Sequence, residues 1–310
     1  MIDRSTVFVL GAGASQPYGF PLGVELTKLI ANWINSGGTA FEKEMGTVFP
    51  AEAIGEARQM ARALRTVEGS VDLWLAQRKK YLTVGRYCVA RFIAQQEDPD
   101  ALFRGEWYAN LFRLLLPADL PVGAEALLKN PVTFVTFNYD RSLEQTLFLK
   151  TQSFFGLSDE VTTAVISKLR IIHVHGQVGR LPWQKAEGWL KDIPARPYAP
   201  NFKPEELFHA ACVKVISETT RDSPEYQAAQ EALRQASRIC FLGFGYDPQN
   251  LARLNYGAGV DSKTIQGTHY QLPQLRSNQL KGNGAEFGIR IDLDGPSSGT
   301  TDYFREMIGA

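Results

Sequence analysis

The chain is 310 residues long, enough for one large core or two smaller ones, and its 44% apolar and 21% charged residues place it among folded globular proteins. Its 33 basic and 33 acidic residues cancel, which excludes a global positive field for direct nucleic-acid or anionic-membrane binding, and no segment approaches the ~20 apolar residues of a membrane span. Three scattered cysteines, Cys88, Cys212 and Cys240, argue against a secreted disulfide framework; with no apolar signal stretch before the first strand, the expected location is the cytoplasm.

In chain order, an apolar run over 7–10 leads into Gly11-Ala12-Gly13-Ala14-Ser15. A helix is predicted after that turn, with Leu22, Leu26, Leu29 and Ile30 on one stripe. Between about 37 and 131 the chain lacks strand-like runs, and the segments 51–66, 70–94 and 106–115 read as helices of an inserted subdomain. A second strand, 132–136, exits into Phe137-Asn138-Tyr139-Asp140, before a helix bearing Leu143, Leu147 and Phe148. A further helix, about 159–168, leads to a third strand ending at His175, and residues 176–204 read as a proline-rich loop or lid. A helix over 224–236 precedes a fourth strand, 239–242, which enters Gly243-Phe244-Gly245-Tyr246-Asp247; weaker strands at 263–270 and 286–293 flank a helix near 273–280.

Short continuous apolar runs alternating with helices predict an α/β fold: a doubly wound parallel sheet in one domain, 1–310, carrying the helical insert. In such a sheet ligands bind outside the carboxyl ends of the strands, so the motifs after the strands are expected to converge on one crevice.

The glycines of Gly11-Ala12-Gly13 let backbone approach a phosphate at a helix N-terminus, although Gln16 stands where a dinucleotide fingerprint wants its third glycine. A bare tight turn is the ordinary alternative there and at Gly243 and Gly245. Asn138 can donate and accept, which suits a ribose hydroxyl or a water, while capping a helix is its common structural use. Asp140 has the same ambiguity. His175 is the candidate base, because imidazole titrates near neutral pH and Gly176 with the following loop favours a cleft; His173, read as lying on the same side of the strand, is expected to support it. His209 and His269 have no motif around them.

Taken together, Gly11-Ala12-Gly13-Ala14-Ser15 with Gly19-Phe20-Pro21, then Thr136-Phe137-Asn138-Tyr139-Asp140, His175-Gly176 and Gly243-Phe244-Gly245 resemble the SIR2 superfamily, from residue 6 to about 250. The order resembles bacterial SIR2-like anti-phage effectors more than sirtuin deacylases, as does Ser70-Val71-Asp72-Leu73-Trp74-Leu75. The resemblance implies a Rossmann-like fold with NAD as substrate. In it Gly11, Ala12, Gly13 and Ser15 approach the pyrophosphate, Asn138 and Asp140 hold the nicotinamide ribose region, His175 is the base, and Gly243 and Gly245 lie along the adenosine side. The Cys-x-x-Cys pairs of the deacylases' zinc module are missing, so no zinc is expected.

The activity so implied is NAD⁺ glycohydrolysis in abortive anti-phage defence. The alternatives are a sensor of NAD⁺ or ADP-ribose without turnover, and a deacylase that has dispensed with zinc. Because free NAD⁺ hydrolysis would kill the host, a homo-oligomer working with a partner is expected, by resemblance a HerA-like ATPase or a short Argonaute. Trp74, Trp107 and Tyr108 in the insert are the expected contact residues.

Overall fold

Strand β1 (Thr6–Leu10) is buried along its whole length, as expected of a strand covered on both faces. The computed structural model describes residues 1–119, 122–254 and 263–269, together with Asn278 and Leu280. After β1 comes a single turn of helix, α1 (Ala12–Ser15), and then α2 (Gly23–Ser36). The buried stripe of α2 runs through Leu26, Thr27, Ile30, Ala31 and Ile34, whereas Leu29, expected on it, is 39% exposed. Thr27 enters the stripe because its hydroxyl donates within the protein, to the carbonyls of Gly23 and Gly69.

The insert consists of α3 (Gly38–Val48), α4 (Ala51–Leu64), α5 (Val71–Ala76), α6 (Leu82–Gln95) and α7 (Trp107–Leu115). The predicted helix over 70–94 is broken between α5 and α6, where Arg78 leaves helical geometry at φ −138°. One apolar core runs without interruption from the insert (Met60, Leu75, Trp107, Leu111) to the sheet residues Phe8, Leu10 and Phe134. The insert is therefore packed as part of the same body. Trp107 and Tyr108 are buried in that core and Trp74 nearly so, which removes the residues expected to anchor a partner: their rings are spent on folding.

Strand β2 (Val132–Thr136) is followed by α8 (Ser142–Phe155), whose Leu143, Leu147 and Phe148 are buried, then by α9 (Asp159–Ile166) and β3 (Arg170–His173). β3 ends two residues earlier than the sequence suggests. The chain turns through Val174 and His175 into β4 (Gly176–Gln177), which pairs antiparallel with β5 (Cys212–Val213) after α10 (Pro204–Ala210). Gly176 is obligatory at this turn: its φ is 73°, and a Cβ there would lie 1.7 Å from the carbonyl oxygen of Cys212. The remaining elements are α11 (Pro224–Gln235), β6 (Arg238–Leu242), α12 (Pro248–Leu254) and β7 (Thr264–Gly267). Residues 286–293, expected as a strand, and most of the helix expected near 273–280 lie outside the described residues.

The main sheet is parallel, in the order β3-β2-β1-β6-β7. One face packs Phe8, Leu10 and Phe134 against α2, α7 and α8; the other packs Val7, Val9, Val135, Ile239 and Phe241 against α11 and α12. The fold is thus a doubly wound α/β sheet whose strand order reverses at β1.

Candidate active site

The strand pairing puts the motif-bearing ends level. Leu10 is in register with Thr136 and Leu242, and Thr136 with His173, so the residues that follow all emerge at one edge of the sheet.

At the β1/β6 junction the glycines pack on one another. A Cβ on Gly11 would lie 2.6 Å from the Gly243 carbonyl oxygen, one on Gly13 2.9 Å from Gly243 Cα, and one on Gly243, at φ 56°, 2.0 Å from Ala14 N. The Gly13 N–H donates to Gly243 O at 2.9 Å, and Gly11 N–H to Leu242 O at 3.0 Å. These three glycines are explained by close backbone approach within the protein. Gly245 is exposed with no atom near its Cβ position, and Ala12 is half-buried, so both are open to a ligand.

At the β1/β2 junction, side chains converge. Asn138 Nδ2 donates to Gly11 O at 2.9 Å and to Ser15 Oγ at 3.0 Å, a contact across 127 residues of chain in the first case. Its amide hydrogens are thereby used, and among the described residues no protein donor meets Oδ1. The Ser15 hydroxyl in turn reaches Asp140. The buried Asp140 carboxylate also accepts the Ser142 N–H at 3.0 Å and the Ser142 hydroxyl, which is 2.5 Å from Tyr108 Oη. Burial pushes the Asp140 carboxyl up, against these hydrogen bonds. Asp140 therefore holds the first N–H of α8, and it meets the Asn138 cluster through Ser15.

His175 is 4% exposed. Its Nδ1 lies 3.3 Å from Thr219 Oγ1 and its Nε2 3.3 Å from Tyr226 Oη, with the rings of Phe137 at 5.5 Å and Tyr139 at 6.4 Å. Burial, with the Arg253 guanidinium nearby, pushes its pKa down to about 4, so the imidazole is neutral at physiological pH. His173, expected beside it, points to the opposite face of the sheet. Its Nε2 meets the Glu144 carboxylate closely and its Nδ1 lies 3.2 Å from the Asn138 carbonyl oxygen. Burial acts to lower its pKa, but the Glu144 carboxylate and the Asn138 carbonyl outweigh this and raise it. Acceptors facing both nitrogens favour the protonated ring, which leaves His173 poorly placed to serve as a base.

Three parts of this arrangement went unmarked in the sequence. Tyr139 donates to Asp72 of α5 at 2.7 Å, tying the insert to the wall of the His175 cage. Trp107 Nε1 donates to Ala14 O at 2.7 Å, fixing the first turn from the other side. Arg141, wholly buried, binds Glu97 through Nε at 2.8 Å and Nη2 at 2.5 Å and donates to the carbonyls of Arg196 and Pro197, while Arg196 shares the same carboxylate. The segment expected as a loop or lid is anchored at 196–197 and again at Val178 and Leu181, which are fully buried.

Among the described residues, no group of His, Cys, Asp and Glu could hold a metal ion, and no helix is long and apolar enough to cross a membrane.

The class so defined is a doubly wound α/β protein with a polar cluster at the carboxyl ends of its central strands. No family model and no curated protein matches the sequence. Among solved structures, a triple mutant of a Sir2 homologue in complex with 2′-O-acetyl ADP-ribose is similar at a TM-score of 0.44 and 12% identity, over 98% of this chain and 92% of that one. Similarity at that level does not establish a shared family.

Proposed function

We propose that the chain is an NAD⁺ glycohydrolase that cleaves the nicotinamide–ribose bond to release nicotinamide and ADP-ribose. The observation that carries this reading is the Asn138 side chain, held by two donations into the Gly11–Ser15 turn at the carboxyl ends of β1 and β2, with its Oδ1 met by no donor among the described residues. Oδ1 would accept from a ribose hydroxyl or from the attacking water. The bond breaks through an oxocarbenium-like state, and the cationic nicotinamide leaves without needing a proton, so the protein has chiefly to orient the sugar and stabilise developing positive charge. The rings of Phe137, Tyr139 and Tyr226 pack around His175 and fix its position. A neutral His175 would take the proton of the adding water through the Thr219 or Tyr226 hydroxyl that meets its unprotonated nitrogen, and release it to solvent after turnover. Ala12 and Gly245 would lie along the dinucleotide.

By the resemblance of its motifs to SIR2-like effectors, the setting is cytoplasmic anti-phage defence through NAD⁺ depletion. Restraint would come from homo-oligomerisation and a partner such as a HerA-like ATPase or a short Argonaute. Light scattering on the purified protein, alone and with each partner, tests this; a fully active monomer would defeat it.

A second reading, a sensor that binds NAD⁺ or ADP-ribose without turnover, is favoured by the burial of His175. Incubation with NAD⁺ and chromatographic separation of nicotinamide, ADP-ribose and cyclic forms decides between them. Equimolar nicotinamide and ADP-ribose are expected, and binding without nicotinamide release would overturn the hydrolase.

A further inference from the structure

On the opposite face of β3 from His175, a cavity of about 480 Å³ opens between α9, the end of β3 and the loop after β4. Its volume falls within the range of small-molecule sites. Four features of its lining point to one kind of occupant.

Gln177 lines the cavity and is fully buried, with Nε2 donating to Gly179 O at 2.7 Å and Gln184 Oε1 at 3.2 Å, yet its Oε1 has no partner. A buried amide oxygen left unmet costs about 1–3 kcal/mol, which a ligand N–H would recover. Two indoles form walls: Trp183, held by stacking on Phe148 at 4.7 Å, and Trp189, 39% exposed and 6.3 Å from the His173 ring. An indole held in place and a second one partly exposed suit a flat ring between them. On the floor the Glu144 carboxylate is already paired with the His173 ring, so it is not free to hold a cationic ligand. At the exposed rim Lys168 and Lys185 outnumber Glu187, which favours an anion at the mouth.

We infer that this cavity is a binding site for a purine nucleotide monophosphate, distinct from the Asn138/His175 crevice. The base lies against Trp189 with its exocyclic amine donating to Gln177 Oε1, and the phosphate lies between the rim lysines. The floor is not isolated from the crevice. His173, which lines the cavity, holds the Asn138 carbonyl through Nδ1, so an occupant pressing on the His173–Glu144 pair acts one hydrogen bond away from the residue that orients the proposed substrate.

The test is calorimetric titration of the full chain with AMP, adenosine and purine riboside monophosphate, the last lacking the exocyclic amine. AMP is expected to bind saturably at one site, with the amine-free analogue and adenosine each weaker by about tenfold. Trp189→Ala should weaken AMP about tenfold or more, as removal of a base-stacking ring does. Gln177→Met should abolish the preference for AMP over the amine-free analogue, and Lys185→Ala should weaken AMP while leaving adenosine unchanged. Circular dichroism confirms folding of each variant, and the exposed Lys185→Ala serves if Gln177→Met fails to fold. No saturable AMP binding, or binding unaffected by Trp189→Ala and Lys185→Ala, would overturn the site. The readout is binding of AMP, so it stands or falls independently of NAD⁺ cleavage.

Discussion

His173 and His175 stand two residues apart at the end of one strand, equally buried, and the protein gives them opposite chemistry. His173 faces α8, where a carboxylate and a carbonyl demand protons from both of its nitrogens. His175 faces α11, where hydroxyls and aromatic rings ask for no charge and burial forbids one. The contrast shows that burial alone does not decide the state of a histidine; the donors and acceptors that face it do.

The largest test of this contrast is catalytic. His175→Ala and Asn138→Ala should each lower NAD⁺ cleavage by ~10²-fold or more, the effect expected of a positioned base and a ribose-orienting amide, with the fold retained. His173→Gln, which removes the pair with Glu144 as well as the support of the Asn138 carbonyl, should cost about tenfold, near the usual worth of one charge-assisted hydrogen bond. Nicotinamide release measured under saturating and limiting NAD⁺ checks both; equal losses at His173 and His175 would break the comparison.

Stability against pH is the next largest. Between the ordinary histidine pKa of ~6.5 and the native value of about 4, the unfolded chain binds a proton at His175 that the native chain refuses. Stability should therefore fall as pH drops through that window, by roughly 3 kcal/mol in all, and show no contribution from His175 above it. For His173 the sign is reversed: its native pKa is raised, so its contribution is complete below ~6.5 and is lost as pH rises through the native value. Urea denaturation across pH should lose the acid limb in His175→Gln and the neutral-to-alkaline decline in His173→Gln. The same limb lost in both variants would contradict the assignment.

A smaller change sharpens the cause. Glu144→Gln keeps the shape of the pair but removes its negative charge, so the His173 ring resonance should titrate at lower pH, with a stability cost of about 1–2 kcal/mol. An unshifted titration would mean that Glu144 is not what holds the proton. Smallest of all, chelators should change neither activity nor stability, and metal analysis should find no stoichiometric zinc, because three dispersed cysteines cannot supply a structural site. Stoichiometric zinc would reopen both histidines as ligands and revive the deacylase alternative.

Much of the fold was legible in the chain. The apolar runs at 7–10, 132–136 and 239–242 became β1, β2 and β6 nearly to the residue, since strands covered on both faces need continuous apolar sequence. The end of β3 was misplaced because His173-Val174-His175 looks like continued alternation, whereas the left-handed Gly176 and its pairing with Cys212–Val213 turn the chain first. Asn138, Ser15 and Asp140 were recognisable as strand-end residues, and they do meet, but sequence alone could not divide Asn138 at the crevice from Asp140 as a cap. Gly11, Gly13 and Gly243 were legible as close approaches and not as approaches to what. Glu97, Arg141, Glu144 and Arg196 escaped notice entirely. Charged residues are read as surface unless paired, and their partners lie far off in sequence.

Arg141 also determines how the molecule can move. It grips the carbonyls of Arg196 and Pro197, and Arg196 N–H donates to Arg180 O at 2.7 Å, so the chain is pinched where residues 180 and 196 meet. What lies between the two points is an Ω-loop, closed at its neck and carrying both Trp183 and Trp189. Opening the neck would strip acceptors from a buried guanidinium, and Trp183 is tied to α8 by its stack on Phe148 and its donation to Gln145, so movement is confined to the part of the loop beyond Gln184. Hydrogen exchange should therefore be rapid between residues 185 and 192 and slow at the neck, with proteolytic cuts confined to that stretch and leaving the rest of the chain folded.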